Sequence, residues 1–237
     1  MSSFYVDDCL GRSAMEAEAH LLQTQLTELL ASGGFPPRKL CWNSQRVMET
    51  IPVQDTETSL PCHLTGEPTK KTLGIYWHPD SDIFQCQVQL KSRQLTNITK
   101  RNVLSFIASI YDPLGLLGPA VVKCKLYMQH LWQSNLDWDE ALPPNLIEEW
   151  NDIAEQLPSL TDIVIRCKII PSPHYVELEI HEFCDASQLA YGACIYTRCV
   201  FVNEDVLVLL ITAKSRTAPI KQQTLPQLKL CGAQLLA

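Results

Sequence analysis

The sequence predicts an α+β fold, and three observations carry that expectation. Between Ser13 and Gly34 apolar residues recur at the spacing of one helix face. From Thr99 to Pro158 prolines bound three further segments of the same period. From Val176 onward the period drops to two, the signature of strands.

Taken in order, Ser3 to Arg12 has a short-run, turn, short-run pattern with Asp7-Asp8 at the turn, which predicts a hairpin. Ser13 and Glu16 have capping-box spacing, so a helix is expected to start there. Met15, Ala19, Leu22, Leu26 and Leu29 give its apolar stripe, and Gly33-Gly34 ends it. Phe35 to Trp42 is expected to be a strand. Asn43 to Lys71 is polar and turn-rich, as a long loop or insertion would be. Leu73 to Trp77 and Phe84 to Leu90 predict a second hairpin around Pro79-Asp80-Ser81-Asp82.

Thr99 is placed to cap a helix carrying Val103, Phe106, Ile107 and Ile110, stopped by Pro113. Pro119 suits the first turn of the next helix, which is expected to run to about Asn135. Pro143-Pro144 opens a third, with Ile147, Trp150, Ala154 and Leu157 on one face. This layer is expected to bury Phe106, Ile110, Leu131, Trp132, Trp150 and Leu157. Val176, Leu178 and Ile180 alternate with Glu177, Glu179 and His181, so the apolar three are expected to face a core. Tyr191 to Tyr196 is a second strand, and Val206 to Thr212 is apolar throughout, as a sheet centre would be. The three strands are expected to form an antiparallel sheet in chain order, with a helix from Pro226 packed on one face.

The bulk numbers exclude several classes. With 46% apolar and 19% charged residues the chain is globular. A formal charge of -7 argues against a protein that wraps nucleic acid with its whole surface, though a local basic groove remains compatible with it. No apolar run has the length of a membrane span, and no secretory signal pattern is present at the N-terminus. The ten cysteines contain no CxxC pair, which points to reduced thiols in an intracellular protein, so that Asn97-Ile98-Thr99 is a chance sequon.

The chemistry-bearing residues fall into three groups. The first is Phe4-Tyr5-Val6-Asp7-Asp8. Two adjacent carboxylates at a hairpin turn are hard ligands of the kind that hold Mg²⁺ in two-metal phosphoryl transfer. A DD pair alone is an ordinary turn signal, but the downstream residues add context. After an amphipathic helix come Gly34-Phe35-Pro36-Pro37-Arg38-Lys39, then Leu73-Gly74-Ile75-Tyr76-Trp77. That order resembles the later motifs of a reverse-transcriptase palm. The resemblance implies that Asp7 and Asp8 are metal-binding aspartates and that Lys39 lies near the incoming triphosphate. It further implies that Leu73, Gly74 and Trp77 form the hairpin gripping the primer end. A polymerase also needs a third carboxylate and a nucleotide-binding region upstream, so the chain is expected to be the back half of something longer.

The second group is the most specific. Thr99-Lys100-Arg101-Asn102-Val103-Leu104-Ser105 leads to Tyr111-Asp112-Pro113-Leu114-Gly115-Leu116-Leu117-Gly118-Pro119, followed by Leu131-Trp132 and Leu136-Asp137-Trp138-Asp139. This string resembles the Pol polyprotein of BEL/Pao-type LTR retrotransposons, in the helical thumb-like region between polymerase and RNase H. Lys91, Arg93, Lys100, Arg101, Lys123 and Lys125 are candidates for a nucleic-acid track there.

The third group is Phe183-Cys184-Asp185-Ala186-Ser187 with Ala190-Tyr191-Gly192-Ala193. It resembles the first two strands of an RNase H fold, and by that resemblance Asp185 is the first Mg²⁺ ligand. The family's next ligand is a glutamate opening the first helix. Here the corresponding string reads Pro226-Gln227-Leu228-Lys229-Leu230, with Lys229 in the glutamate's place. An ammonium cannot ligate Mg²⁺. The remaining carboxylates of that fold would lie beyond Ala237, so the module is expected to be inert. Lys229 is expected to approach Asp185.

Two other chemistries are weaker. His181, Cys184, Cys194 and Cys199 lack zinc-site spacing. The Pao resemblance also carries an aspartic-peptidase label, but no Asp-Thr-Gly or Asp-Ser-Gly turn is present; Asp55-Thr56-Glu57 and Asp185-Ala186-Ser187 both differ from it.

The resemblance therefore implies three parts: 1–95 the end of a polymerase palm, 96–160 a thumb-like helical region, and 161–237 a truncated RNase H-like mixed sheet. It implies descent from an RNA-directed DNA polymerase with adjoining RNase H, inactive alone and binding no Mg²⁺ stably. The ancestral partners are an RNA/DNA template-primer and the missing upstream Pol segments, with no membrane, in a cytoplasmic virus-like particle. The alternative is a co-opted, non-enzymatic module that binds nucleic acid or protein.

Overall fold

A computed structural model describes residues 3–5, 8–13, 15–56, 70–72, 75–86, 88, 97–170 and 174–237. The chain divides into two compact units, Met1–Gln85 and Cys86–Ala237.

In the first unit, β1 (Ser3–Tyr5) pairs antiparallel with β2 (Asp8–Leu10), with Ser3 opposite Leu10 and Tyr5 opposite Asp8. Helix α1 (Glu16–Ser32) comes next. Its N-cap is Met15, without a side-chain cap, so the expected Ser13 box does not form. The Ser13 hydroxyl instead accepts from the Met15 amide at 3.2 Å and donates to Glu18 Oε2 at 2.9 Å. This is local side-chain bonding that competes with helix capping. Of the expected stripe only Ala19 is buried; Leu22 and Leu26 are half-buried, while Met15 and Leu29 are exposed. The helix ends at Gly33, and Gly34 takes φ 82°.

Phe35 to Trp42 is not a strand. Pro36 and Pro37 offer no amide donors, and Lys39 has φ 57°, which breaks an extended run. Leu40 makes one isolated parallel bridge to Thr56, its amide donating to the Asp55 carbonyl at 2.8 Å. Arg38 pairs with the Asp55 carboxylate. The stretch read as a loop from Asn43 contains a short helix, α2 (Gln45–Met48), capped by Ser44, and a 3-10 turn at Val53–Asp55. Strand β3 (Lys70–Thr72) pairs antiparallel with β4 (Ile75–His78), which adjoins β5 (Ile83–Cys86) across the expected turn at 79–82.

The second unit begins with three helices: α3 (Lys100–Ser109), α4 (Gly118–Gln133) and α5 (Pro144–Ala154). Thr99 caps α3 by accepting from the Asn102 amide, and α4 and α5 carry Pro in their first turns. Trp150, 1% exposed, sits at the centre of their core. Phe106 meets it edge-on and Tyr127 stacks on it, each at 5.5 Å between ring centres. The Tyr127 hydroxyl donates to the Leu146 carbonyl at 2.7 Å, so this ring's polar atom is satisfied while buried. Leu131 and Leu157 join this core as expected. Trp132 does not: it is 55% exposed, because Leu131 takes the inward position and its neighbour points away. The buried face of α5 is Leu146, Trp150, Ile153 and Ala154, with Ile147 at its margin.

A 3-10 helix at Leu157–Asp162 and β6 (Val164–Arg166) lead to the sheet. Its strands are β7 (Tyr175–Ala186), β8 (Ala190–Phe201) and β9 (Val206–Thr217), antiparallel in chain order. Each strand is longer than the sequence pattern indicated. The central strand is β8, so the apolar run Val206 to Thr212 lies on an edge strand. The outer side of β9 is met by a loop: the Ala213 amide and the Thr212 hydroxyl donate to the Leu114 carbonyl at 2.8 and 2.9 Å. The row Val176, Leu178 and Ile180 does not face a core; Val176 is 71% and Ile180 64% exposed. Helix α6 (Leu225–Leu236) packs on β7 and β8. No helix among the described residues is long and apolar enough to cross a membrane.

Candidate functional site

The sequence-named residues that come together are Asp185 and Lys229. Asp185 is the penultimate residue of β7, opposite Gly192 of β8. Beyond it the Ser187 hydroxyl accepts from the Leu189 and Ala190 amides at 3.2 Å each, closing a tight turn into β8. Helix α6 starts with a capping box in which Thr224 and Gln227 satisfy each other's backbone amides. Leu228, 1% exposed, anchors it to the sheet. Gly232 then lets it approach closely: a Cβ there would lie 3.3 Å from the Asp185 carbonyl oxygen and 3.5 Å from that of Gly192. With the helix held so near, Lys229, one turn earlier, places Nζ 3.6 Å from Asp185 Oδ1.

Both partners are exposed, the lysine at 59% and the aspartate at 82%. Such a pair is well screened by water and contributes little to stability. Mg²⁺ selects several oxygen ligands in near-octahedral array, whereas Asp185 stands here with an ammonium beside it. The residues present do not fit the metal. Among the described residues no group of three or more His, Cys, Asp or Glu is placed to hold a metal ion.

Farther along the same sheet, Arg198 donates to Glu179 at 2.8 Å and lies 3.5 Å from Glu177, and His181 Nε2 lies 3.1 Å from Glu179 Oε2. The His181 hydrogen bond, followed by the Arg198 one, holds the Glu179 carboxyl below the usual range. The polar members of the β7 alternation are thus tied to one another.

Of the residues for which the sequence suggested polymerase roles, Asp7, Leu73 and Gly74 lie outside the described residues. Asp8 is the first residue of β2. Lys39 is exposed at its left-handed position, and Trp77 donates from Nε1 to Asp82 Oδ1 at 3.1 Å. The proposed basic track is altered. Lys91 and Arg93 lie outside the described residues, and two others are taken by internal contacts. Lys100 is buried, its Nζ donating to the Ser134 and Leu136 carbonyls at 3.1 and 2.6 Å. Arg101 makes a two-pronged contact with Asp139 at 2.7 and 2.9 Å. These two cations fasten α3 to the segment after α4; Lys123 and Lys125 remain exposed.

Sequence reasoning missed the role of the Asp112-Pro113-Leu114-Gly115 turn. Both Asp112 carboxylate oxygens accept backbone amides, of Leu116 and Leu117, at 2.9 Å each. Gly115, at φ 72°, sits so close to β9 that a Cβ would fall 1.7 Å from the Ala213 carbonyl oxygen. The Pro-Leu-Gly signature was visible as a turn; its docking partner, about a hundred residues away, was not.

A protein family described as the Pao retrotransposon-like RNaseH-like domain matches residues 99–237. The chain belongs to this family. The match takes in the helices as well as the sheet, so in the Pao family the helical layer and the RNase H-like strands lie within one matched stretch. Domains of RNase H type are in general Mg²⁺-dependent and act on nucleic-acid hybrids. No curated protein matches the chain.

Proposed function

We propose that this chain is part of a BEL/Pao Pol polyprotein whose RNase H-like domain is catalytically silent. The observation that carries this reading is the Lys229–Asp185 pair, 3.6 Å apart at the position where the family chemistry needs a second carboxylate. The ammonium neutralises Asp185 directly, which removes the incentive for a divalent cation to bind. In this reading residues 1–95 derive from a reverse-transcriptase palm, with Asp7 and Asp8 as its metal ligands and Lys39, Leu73, Gly74 and Trp77 as substrate contacts. Residues 96–160 are the thumb-like region and 161–237 the RNase H-like one. The polymerase is inactive in this chain alone.

The test is incubation of the purified chain with Mg²⁺ and an RNA–DNA hybrid, alongside an NMR titration of Asp185. The expected result is no cleavage and no saturable shift, with Lys229→Glu gaining Mg²⁺ affinity. Hydrolysis that disappears in Asp185→Asn would overturn the silent reading. Primer extension abolished by Asp7→Ala would overturn the inactive-polymerase part.

A co-opted protein-binding module is the second reading. It is favoured by the exposed apolar residues Val176 and Ile180 on β7.

A further inference from the structure

We propose that the cavity between the Asp112–Gly118 loop, α4 and β9 binds the phosphate backbone of nucleic acid. It is an open hollow of about 430 Å³ whose walls carry Lys125 from α4 with Lys214 and Arg216 from β9, and Leu235 and Leu236 at the end of α6 also line it. Alternation along the strand sends Lys214 and Arg216 to the same face, opposite Ala193 and Tyr191 of β8. None of the three cations has an ion-pair partner among the described residues. This contrasts with Lys100, Arg101 and Arg198, each held by an internal acceptor.

Asp112 is the carboxylate on the wall. Its oxygens are already directed at the Leu116 and Leu117 amides, so it answers the loop's donors rather than the three cations. Three cations against one carboxylate leave the hollow net positive, which favours an anion. A positive hollow in a chain of net charge -7 attracts polyanions locally without making the whole surface adhesive.

Phosphate is the shared chemistry of a nucleic-acid strand, a mononucleotide and the free ion. The cations are exposed, long and spread over two elements, which suits successive phosphates along a strand better than one enclosed phosphate. The inference rests on the reading of this domain as facing nucleic acid, and is independent of whether Asp185 is active.

The test is fluorescence anisotropy of the full chain with a short labelled RNA–DNA hybrid across a salt series. Combined replacement Lys125→Gln, Lys214→Gln and Arg216→Gln is expected to weaken binding at least about tenfold. It should lower the slope of log K against log salt by about two to three. All three side chains are exposed, and an unchanged melting temperature confirms that the variant folds. Mononucleotide and inorganic phosphate should compete only weakly. An unchanged slope in the triple variant, no hybrid binding by the parent, or displacement by mononucleotide at equal phosphate concentration would each overturn the proposal. Cleavage of the hybrid would overturn the silent reading and leave this one standing.

Discussion

At the scale of single residues, the structure's most constrained position is Gly115. Its φ of 72° disfavours any side chain, and the backbone of β9 occupies the space a Cβ needs. Gly115→Ala is expected to lose about 3 kcal/mol or more, since strain and overpacking combine. Chemical denaturation would read it, and a loss under about 1 kcal/mol would mean the loop does not dock as described. Asp139 illustrates a milder effect. The Arg101 guanidinium, bonding to it directly, holds its carboxyl below the usual aspartate range. A carboxyl depressed in the folded state stabilises the fold above the unfolded value, about pH 4, and that contribution is lost as pH falls through the lower folded value. The Tm of Asp139→Asn should therefore sit slightly below that of the parent at neutral pH and converge with it in acid. A gap that persists well below pH 4 would argue against the pair. Burial acts in the other direction on a thiol, pushing Cys124 up to about 11.

Among the elements, α6 and β7 make opposite cases. Leu228 is buried at 1% against the sheet, and its helix has a complete capping box. Leu228→Ala should cost roughly 2–5 kcal/mol, the range for a large buried side chain. Ile180 has an equally apolar side chain on a regular strand, but at 64% exposure its replacement by Thr should change stability by no more than about 0.5 kcal/mol. Parallel denaturation of the two variants tests the assignment. A large loss at Ile180 with a small one at Leu228 would mean that the helix covers other residues of the sheet. Alternation along β7 identified the strand correctly; it could not say whether the apolar side was covered, because that depends on where α6 lands.

Across the whole molecule, the division at Gln85 and Cys86 makes a prediction of its own. The second unit carries its own core around Trp150 and its own sheet, so residues 86–237 alone should unfold in a single cooperative transition. Tryptophan fluorescence and circular dichroism should give coincident curves. Two separated transitions would show that the helical layer and the sheet are independent, despite the Leu114 to Ala213 hydrogen bond that joins them.

Local chemistry in the sequence determined the proline-bounded helices, the Thr99 cap, the turn between β4 and β5 and the three strands of the sheet. These depend on spacing, missing amide donors and side-chain charge, which are properties of neighbours along the chain. Tertiary structure alone decided the rest. The isolated bridge that Leu40 makes to Thr56 is one such contact. Lys100 turned inward to two carbonyls, and Arg101 paired at the surface with a carboxylate, all more than thirty residues away. The same holds for the hollow that gathers Lys125, Lys214 and Arg216, and for the 3.6 Å between Lys229 and Asp185. Each depends on contacts between segments distant in sequence, and a one-dimensional pattern carries no record of which distant segments meet.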